Sequence, residues 1–189
     1  MADVALVPEV EYVSTIEEYE ELTGDRRVEV IDGVVYDMAA PSQQHQRISG
    51  RLYYEIETYL REKNGQCEVY YAPFDVWLPG NPLTIVEPDL MVICDPSKLD
   101  GKRCNGAPDW IIEIISPSNS QRDYMEKLML YLKSGVKEYW IVDALQGQVI
   151  VYELQKHQFL GNVYSISDKV KCRMYGGDLE IDFAEIMRE

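Results

Sequence analysis

The sequence is organised around the segment 87–127, which contains EPDLMVIC at residues 87–94 and WIIEIISPS at residues 110–118. Both stretches are rich in large apolar side chains, and near-continuous apolar runs of this length are typical of strands buried on both faces. Glu113 is the exception, because it is a lone carboxylate inside the second run. Burying an ionised carboxylate without a partner costs several kcal/mol. We therefore expect a cation, a basic side chain or a metal beside Glu113, and Asp89 is the natural second ligand.

The overall composition is that of one globular domain with an unusually negative charge. The chain has 189 residues, of which 46% are hydrophobic and 27% are charged. This size and balance predict a single domain spanning residues 1–189, with residues 1–13 as a flexible arm. The formal net charge of −15 argues against a protein that coats nucleic acid through bulk electrostatics. A local basic groove or a site for metal cations stays compatible with that charge.

The cysteines and the N-terminal residues predict a reduced, cytoplasmic protein. No cysteine belongs to a CxxC pair or lies near a histidine, so we expect thiols rather than a structural zinc site. Residues 1–13 lack the basic region of a signal peptide, and no apolar run approaches the roughly 18 residues of a membrane-spanning helix. We therefore expect no membrane partner. The cysteines are Cys67, Cys94, Cys104 and Cys172.

Turn and capping signals divide the chain into helices and strands. Asp32-Gly33 between two apolar runs predicts a type I′ hairpin, and Ser42 and Gly65 predict the two ends of a long helix. Ser120, with Asp123 three residues later, predicts the start of a second helix. The predicted strands are 28–31, 34–38, 69–78, 85–94, 109–115, 138–143 and 149–153, with one or two more between 159 and 175. The other predicted helices are 14–24, 120–135 and 183–188.

The connections between these elements predict a mixed sheet. A helix joins the strands 109–115 and 138–143, which favours a right-handed crossover and parallel pairing. Short connections among the three strands before that helix predict an antiparallel meander. The expected fold class is α/β in the broad sense (α+β), with a mixed β-sheet flanked by two main helices and β-hairpins added at both ends.

Two carboxylates on neighbouring strands and a lysine suit metal-assisted hydrolysis of a phosphodiester. Asp89, Glu113 and the backbone carbonyl of Ile114 offer the hard oxygen ligands that Mg²⁺ prefers, and Mn²⁺ can substitute for it. A metal lowers the pKa of a bound water and neutralises developing charge. Lys127 can orient the water and stabilise the transition state.

Each of these residues also has a simpler structural explanation. Asp89 can be a turn residue at the start of a strand, and Glu113 can form a buried ion pair with an arginine or a lysine. Lys127 lies off the centre of the predicted apolar stripe of its helix, so it can be a solvated lysine paired with Asp123. That predicted stripe consists of Met125, Leu128, Met129 and Leu132.

Two further residues are weaker catalytic candidates. His45 lies on the apolar stripe of the first long helix and is either a core histidine or an active-site residue. Glu29 lies on the strand face opposite its apolar neighbours, so it is either exposed or part of a metal site. Ser116, Ser118 and His157 lack the Gly-x-Ser-x-Gly setting of a serine hydrolase, and no phosphate-binding glycine-rich loop is present.

Several motifs together resemble the bacterial Uma-two family of the PD-(D/E)XK nuclease superfamily. The resemblance covers roughly residues 15–185. Its combination of Pro-Asp, Ile-Glu-x-x-Ser-Pro-Ser and Gly-Val-x-Glu-Tyr-Trp is specific, whereas each piece alone is not. The matching residues are 28–33, 41–47, 87–89, 107–109, 112–118, 135–143 and the set Asp123, Lys127 and Tyr131.

The resemblance implies a restriction-endonuclease-like core over residues 42–144 with Asp89 and Glu113 as metal ligands. The superfamily places a lysine two residues after the glutamate, where this chain has Ile115. The resemblance therefore implies that Lys127 supplies the amine from the following helix. Many such nucleases act on DNA as homodimers, and the hairpins near Asp32-Gly33 and Gln146-Gly147 are candidate interface edges.

Three hypotheses about function follow from the sequence. The first is a Mg²⁺-dependent endonuclease that hydrolyses DNA. The second is a catalytically inactive protein of the same fold that acts as an interaction or binding module, and the net charge of −15 favours it because DNA binding normally rests on lysine and arginine. The third is a hydrolase of small phosphate esters.

Overall fold

Three β-sheets and four α-helices make up the part of the chain that the structure, a computed structural model, describes: residues 10–24, 26–116, 125–156 and 158–188. In these ranges no helix is both long and apolar enough to cross a membrane. The helices are α1 (Ile16–Leu22), α2 (Gln43–Lys63), α3 (Lys127–Ser134) and α4 (Phe183–Met187). The strands are β1 (Val28–Ile31), β2 (Val34–Asp37), β3 (Glu68–Tyr71), β4 (Val76–Leu78), β5 (Thr84–Val86), β6 (Leu90–Ile93), β7 (Cys104–Asn105), β8 (Trp110–Ile114), β9 (Glu138–Asp143), β10 (Gln148–Gln155), β11 (Gln158–Ser165), β12 (Lys169–Lys171) and β13 (Glu180–Asp182).

The central sheet has six strands in the order β11-β10-β9-β8-β6-β3. Its strands pair antiparallel except for β8 and β9, which are parallel. The predicted meander, the parallel crossover and the mixed α+β class are confirmed. One face of this sheet packs against α2, α4 and the β12–β13 hairpin, and the other packs against α3 and part of the second sheet. Both faces are therefore covered, which explains the near-continuous apolar runs in β6 and β8.

The second sheet has five strands in the order β2-β1-β5-β4-β7. Two strands that were predicted as continuous are divided between this sheet and the central sheet. The predicted strand 69–78 is split into β3 and β4, and the predicted strand 85–94 is split into β5 and β6. In each case the chain passes from one sheet to the other near a proline, Pro73 or Pro88. Proline cannot donate to a strand ladder, but the apolar pattern alone does not show that the next residues join another sheet.

The long helix α2 begins as predicted, and its C-terminal cap lies one residue before the predicted cap. The Ser42 hydroxyl accepts a hydrogen bond from the amide of His45 at 3.2 Å, which satisfies one of the free amides of the first turn. The left-handed residue at the C-terminus is Asn64, with φ of 50°, and not Gly65. Asparagine tolerates this conformation better than most residues. The predicted cap of the second helix, Ser120, lies outside the described residues.

The N-terminal hairpin has the predicted turn, because both Asp32 and Gly33 have positive φ. The residues before α1 are not a loose arm where the structure describes them. The amide of Val13 donates to the Gly33 carbonyl at 2.8 Å, and the amide of Val35 donates to the Glu11 carbonyl at 2.9 Å. Residues 11–13 therefore lie against the hairpin, while residues 1–9 are outside the described ranges.

The prediction of four thiols is wrong for two of the cysteines. Cys67 and Cys94 form a disulfide, with a Cα–Cα distance of 3.8 Å. The antiparallel register of β3 and β6, extended by one residue, brings the two cysteines opposite each other although they lie far apart in sequence. Cys104 and Cys172 are buried thiols, and burial raises the pKa of Cys104 to about 11. The cytoplasmic location stays a prediction and loses the support of uniformly reduced cysteines.

Candidate active site

Asp89 stands where the chain passes from the five-stranded sheet to the six-stranded sheet. It follows the buried Pro88, and its carbonyl accepts a hydrogen bond from the amide of Ala72 at 3.1 Å. Its carboxylate Oδ2 accepts a hydrogen bond from the amide of Ile114 at 2.7 Å and lies 3.0 Å from Nε2 of His45. Contacts from β8 and α2 therefore fix the position of this carboxylate, and Ala72, just after β3, holds the backbone of Asp89.

Glu113 lies on the neighbouring strand at the position opposite Asp89, as the β6–β8 register extended by one residue shows. Its side chain is buried, and the residue is 5% exposed. Oε1 accepts hydrogen bonds from Nζ of Lys127 at 2.8 Å and from the hydroxyl of Tyr131 at 2.9 Å. The structure therefore brings Glu113 close to Asp89 and also places it in a buried ion pair, the simpler explanation that the sequence left open.

Lys127, the first residue of α3, is buried between two carboxylates. Its Nζ lies 2.8 Å from Oε1 of Glu113 and 2.9 Å from Oε1 of Glu29, and the residue is 3% exposed. The explanation as a solvated surface lysine is therefore wrong. Its suggested partner Asp123 lies outside the described residues. A lysine can be buried here because carboxylates from both sheets compensate its charge.

The buried face of α3 differs from the predicted apolar stripe. Leu128 and Tyr131 are buried, but Met125 and Met129 are 64% and 42% exposed. Lys127 and Tyr131 are four residues apart, so they lie on one face of the helix and both reach the carboxylate of β8. A hydrophobicity pattern treats lysine as a surface residue, and it contains no information about carboxylates that other elements supply.

Glu29 is buried, against the expectation that it could be exposed. All four residues of β1 are buried, because this strand lies inside the second sheet and both of its faces are covered. Oε1 of Glu29 accepts hydrogen bonds from Lys127 Nζ and from the amide of Glu87, the latter at 3.0 Å. Glu87 also pairs with Arg27 at 2.7 Å. Burial raises the pKa of Glu87, and the Arg27 guanidinium opposes that shift.

His45 reaches the site from the first turn of α2. The carboxylate of Asp89 can only accept hydrogen bonds, so Nε2 of His45 carries the proton that lies between them. The other ring nitrogen, Nδ1, is buried and has no hydrogen-bond partner among the described residues. The structure therefore places His45 as a neighbour that orients Asp89, and not as a histidine confined to the apolar core.

These groups meet at one cavity of about 360 Å³. Asp89, Glu113, Ile114, Lys127 and His45 line it, whereas Glu29 contacts it only through Lys127. The further polar lining residues are Arg27, Ser42, Gln44, Gln46, Ser49 and Ser116. Of the hydrolase residues weighed from the sequence, Ser118 and His157 are outside the described ranges.

The donor atoms at this cavity suit a hard divalent cation. The described residues contain no cluster of three or more His, Cys, Asp or Glu side chains arranged for a metal ion. Mg²⁺ nevertheless needs only one or two protein carboxylates, because it keeps several waters. Oδ1 of Asp89 accepts no hydrogen bond from the described residues. The carbonyl of Ile114 faces the same side as its amide in an extended strand, so it points toward Asp89.

The charge of the site also fits a cation. Asp89, Glu113 and Glu29 supply three carboxylates, and Lys127 supplies one ammonium group. Carboxylate oxygens are the ligands that a hard divalent cation prefers, so the residues present fit Mg²⁺ or Mn²⁺.

Sequence reasoning assigned no role in the site to three members of this network. Tyr131 donates to Glu113, and the spacing of four residues from Lys127 was a usable signal for it. Glu87 and Arg27 form an ion pair that borders the site. The position of Glu87, two residues before Asp89, was a usable signal for Glu87. No feature of the sequence around Arg27 indicates its partner, which is sixty residues away.

Comparison with known proteins agrees with this architecture. A family model described as "Uma2: Putative restriction endonuclease" matches residues 16–170, which confirms the resemblance seen in the motifs. An uncharacterized protein of Synechocystis sp. is 26% identical over 156 residues, which are 82% of this chain and 80% of that protein. A crystal structure titled as a "putative nuclease belonging to DUF820" from Anabaena variabilis superimposes with a TM-score of 0.74. It is 20% identical, the match covers 92% of this chain and 97% of that one, and it shows a shared fold.

Proposed function

The chain belongs to the Uma2 family, and we propose that it is a Mg²⁺-dependent endonuclease that hydrolyses the phosphodiester bonds of DNA. The observation that carries the proposal is the position of two carboxylates, Asp89 and Glu113, opposite each other on adjacent strands at one cavity. The ammonium group of Lys127 lies 2.8 Å from the second carboxylate. A pair of hard ligands beside a fixed positive charge suits phosphoryl chemistry.

Asp89, Glu113 and the carbonyl of Ile114 would hold the cation. When bound, Mg²⁺ or Mn²⁺ supplies an acidified water and charge that offsets the negative phosphate. Lys127 contributes a fixed ammonium group at the cavity wall, which stabilises negative charge that develops on the phosphate oxygens. Because Lys127 also pairs with Glu113, its position follows that of the metal ligand.

His45 and Glu29 would act through these residues. Nε2 of His45 lies 3.0 Å from one oxygen of Asp89, and the other oxygen, which accepts no hydrogen bond from the described residues, would be available to the cation. Glu29 holds the Lys127 ammonium and the amide of Glu87 with the same carboxylate oxygen. Glu29 therefore sets the distance between Lys127 and the segment that ends in Asp89.

Cleavage assays with matched variants test this proposal. Plasmid and linear DNA are incubated with Mg²⁺, with Mn²⁺ or with a chelator. Asp89→Asn and Glu113→Gln should each lower metal-dependent cleavage by about 10²-fold or more, because each removes a charge that holds the cation. Glu62→Gln on the exposed side of α2 is the control and should cleave like the natural chain.

Circular dichroism and direct measurement of Mn²⁺ binding complete the test. Both site variants should retain the fold and bind Mn²⁺ more weakly than the natural chain and Glu62→Gln do. Metal-dependent cleavage that persists in Asp89→Asn and in Glu113→Gln would contradict the assignment of the site.

The specific alternative is a catalytically inactive member of the fold that serves as a binding module. The buried pair of Lys127 and Glu113 supports it, because this pair compensates the glutamate without a metal. The net charge of −15 also works against close approach of DNA. The alternative predicts no Mn²⁺ binding at Asp89 and Glu113 and no cleavage under any of the metal conditions.

We also propose that the chain acts as a homodimer, so that two sites meet the two strands of DNA. Of the two turns considered as interface edges, Asp32-Gly33 leads into β2, the outermost strand of the five-stranded sheet, and residues 11 and 12 already pair with that strand. The turn at Gln146-Gly147 joins β9 and β10, which are interior strands. On that side the free edge belongs to β11, so we assign the interface to β11.

A further inference from the structure

An aromatic groove adjoins the carboxylate cavity. It is lined by Tyr53 of α2, by Tyr70 and Tyr71 of β3 and by Phe74 of the following loop. Tyr71 lines both the groove and the carboxylate cavity, so the two depressions lie next to each other. Nothing in the network around Glu113 requires these rings.

The rings form two contacts at the edge of the six-stranded sheet, where β3 is the last strand. Tyr53 and Tyr71 meet edge to face, with ring centroids 4.9 Å apart and an interplanar angle of 81°. Tyr70 and Phe74 are stacked, with centroids 4.8 Å apart. Tyr71 is 56% exposed although another ring supports it. A supported ring that stays exposed offers a π-surface to a ligand.

The groove is tied to the catalytic carboxylate through the backbone. Tyr71 pairs with Leu90, the residue after Asp89, in the β3–β6 register. The next amide, that of Ala72, donates to the carbonyl of Asp89 at 3.1 Å. A planar ligand on Tyr71 therefore lies beside the carboxylates that would face the scissile phosphate.

The charges of the groove favour a neutral planar ligand over a phosphate. Glu57 and Glu68 border it, and Arg61, the one basic side chain that lines it among the described residues, is paired with Glu57. Burial raises the pKa of Tyr53, and burial with the nearby Glu68 raises the pKa of Tyr70 to about 12, so these two phenols stay neutral. A strongly acidic chain gains little from phosphate contacts here, whereas stacking of a base on an aromatic ring needs no net positive charge.

We propose that Tyr71, supported by Tyr53, is a stacking platform for an unpaired DNA base next to the scissile phosphate. Bases of an intact duplex are stacked on one another, so a base that lies on Tyr71 belongs to a single strand, a gap or a flap. The inference rests on the proposed nuclease function and names its substrate class, which is DNA with unpaired bases beside the cleavage point.

Binding without cleavage tests the platform directly. Single-stranded and duplex oligonucleotides of one sequence, labelled with 2-aminopurine, are titrated in the presence of a chelator. The natural chain should bind the single strand more tightly than the duplex and quench the fluorophore. Tyr71→Leu should weaken single-strand binding by about tenfold, the loss expected for one stacked base, and Tyr71→Phe should retain it because the ring remains.

Tyr54→Leu is the matched control, because Tyr54 is 66% exposed on the same helix as Tyr53 but lines neither depression. Equal single-strand binding by Tyr71→Leu and the natural chain overturns the proposal. So does equal loss in Tyr54→Leu, equal affinity of the natural chain for duplex and single strand, or no binding at all.

Cleavage of the same oligonucleotides separates the two proposals. If Tyr71 governs single-strand binding but no metal condition gives cleavage, the platform stands and the nuclease function fails. If cleavage depends on Asp89 and Glu113 but Tyr71→Leu cuts and binds like the natural chain, the nuclease function stands and the platform fails.

Discussion

Lys127 is the residue on which the two sheets and the candidate site converge. Its ammonium group pairs with Glu29 of the five-stranded sheet and with Glu113 of the six-stranded sheet, and all three side chains are buried. Removing one partner of a buried ionic network leaves an uncompensated buried charge, and this lowers the free energy of unfolding strongly. Replacing the whole network by well-packed apolar residues changes that free energy much less. Lys127 therefore couples stability to the charge of the site.

Lys127→Met should lower the free energy of unfolding by about 3–5 kcal/mol, because Glu29 and Glu113 would both lose the ammonium group that lies between them. Methionine keeps a similar chain length, so the loss reflects charge more than volume. Urea denaturation measures the difference. Added Mg²⁺ should restore part of the stability of Lys127→Met if the carboxylates hold a divalent cation.

Lys133→Met is the control for this experiment, because Lys133 is exposed on the same helix. It should change the unfolding free energy by no more than about 0.5 kcal/mol. Similar losses in the two variants would show that Lys127 does not tie the sheets together.

The network of Lys127 also shows which parts of the site the sequence could predict. Asp89 and Glu113 were recognisable because a carboxylate at the head of, or inside, an apolar strand demands compensation. The burial of Glu29 and Lys127 could not be predicted from the sequence, because it depends on a contact between residues 98 positions apart. Each looks like a surface residue until its partner is present.

Among the elements, α2 offers a clear test of local conformation at its C-terminus. Asn64 has φ of 50°, and a Cβ added to Gly65 would meet no atom within 4 Å. Asn64→Ala should lower the unfolding free energy by about 1 kcal/mol, because alanine is strained in the left-handed region. Asn64→Gly should retain the stability of the natural chain, since glycine is the preferred residue at such a cap.

Gly65→Ala distinguishes the observed cap from the one predicted from sequence. The φ of Gly65 lies outside the left-handed region, so alanine fits there and should stabilise the chain by about 0.4–1 kcal/mol through its less flexible unfolded state. Urea denaturation of these variants side by side gives the comparison. A loss at Gly65→Ala larger than that at Asn64→Ala would place the cap at Gly65.

Elements with local signals were predictable, and the sheet to which each strand belongs was not. The Ser42 cap and the Asp32-Gly33 turn are encoded within a few residues, and both are present. The strands predicted at 69–78 and 85–94 each cross between sheets. β3 pairs with β6, β5 pairs with β1 and β6 pairs with β8, so each crossing is decided by partners outside the predicted strand itself.

At the scale of the whole molecule, one buried tyrosine and three half-buried tyrosines predict a loss of stability at alkaline pH. Burial and the neighbouring Asp75 raise the pKa of Tyr19 above its usual value of 10.0, and burial shifts the pKa of Tyr53, Tyr59 and Tyr152 in the same direction. The folded chain therefore holds these protons more tightly than the unfolded chain. The associated stability is complete below pH 10 and is lost as the pH rises above that value.

Tyr19→Phe isolates the largest of these contributions. At pH 7 it should lower the unfolding free energy by about 1 kcal/mol, because it removes the hydrogen bond to Asp75 at 2.9 Å. Above pH 10 the difference from the natural chain should shrink, since phenylalanine has no proton to lose. Urea denaturation at pH 7 and pH 11 measures both values, with the exposed Tyr12→Phe as a control. A difference that grows with pH would contradict the argument.

The edge of the six-stranded sheet bears on assembly. β11 is its outermost strand on one side, and none of its eight residues is charged. Phe159, Leu160 and Val163 are 47%, 59% and 65% exposed. Exposed edges normally carry charge, proline or a cover that prevents pairing with another chain. Two copies of a chain with a net charge of −15 repel each other, so an uncharged edge is where they can approach most closely.

Pairing of β11 with β11 about a twofold axis would join the two central sheets and cover these apolar side chains. Val163→Lys should therefore convert a dimer into a monomer, because it places like charges near the axis and leaves the fold intact on an exposed side chain. Met129→Lys, which adds the same charge on an exposed position of α3, should remain dimeric. Sedimentation at micromolar concentration distinguishes the two states. A natural chain that sediments as a monomer would exclude this interface. A dimer that survives Val163→Lys would move the interface to another surface of the molecule.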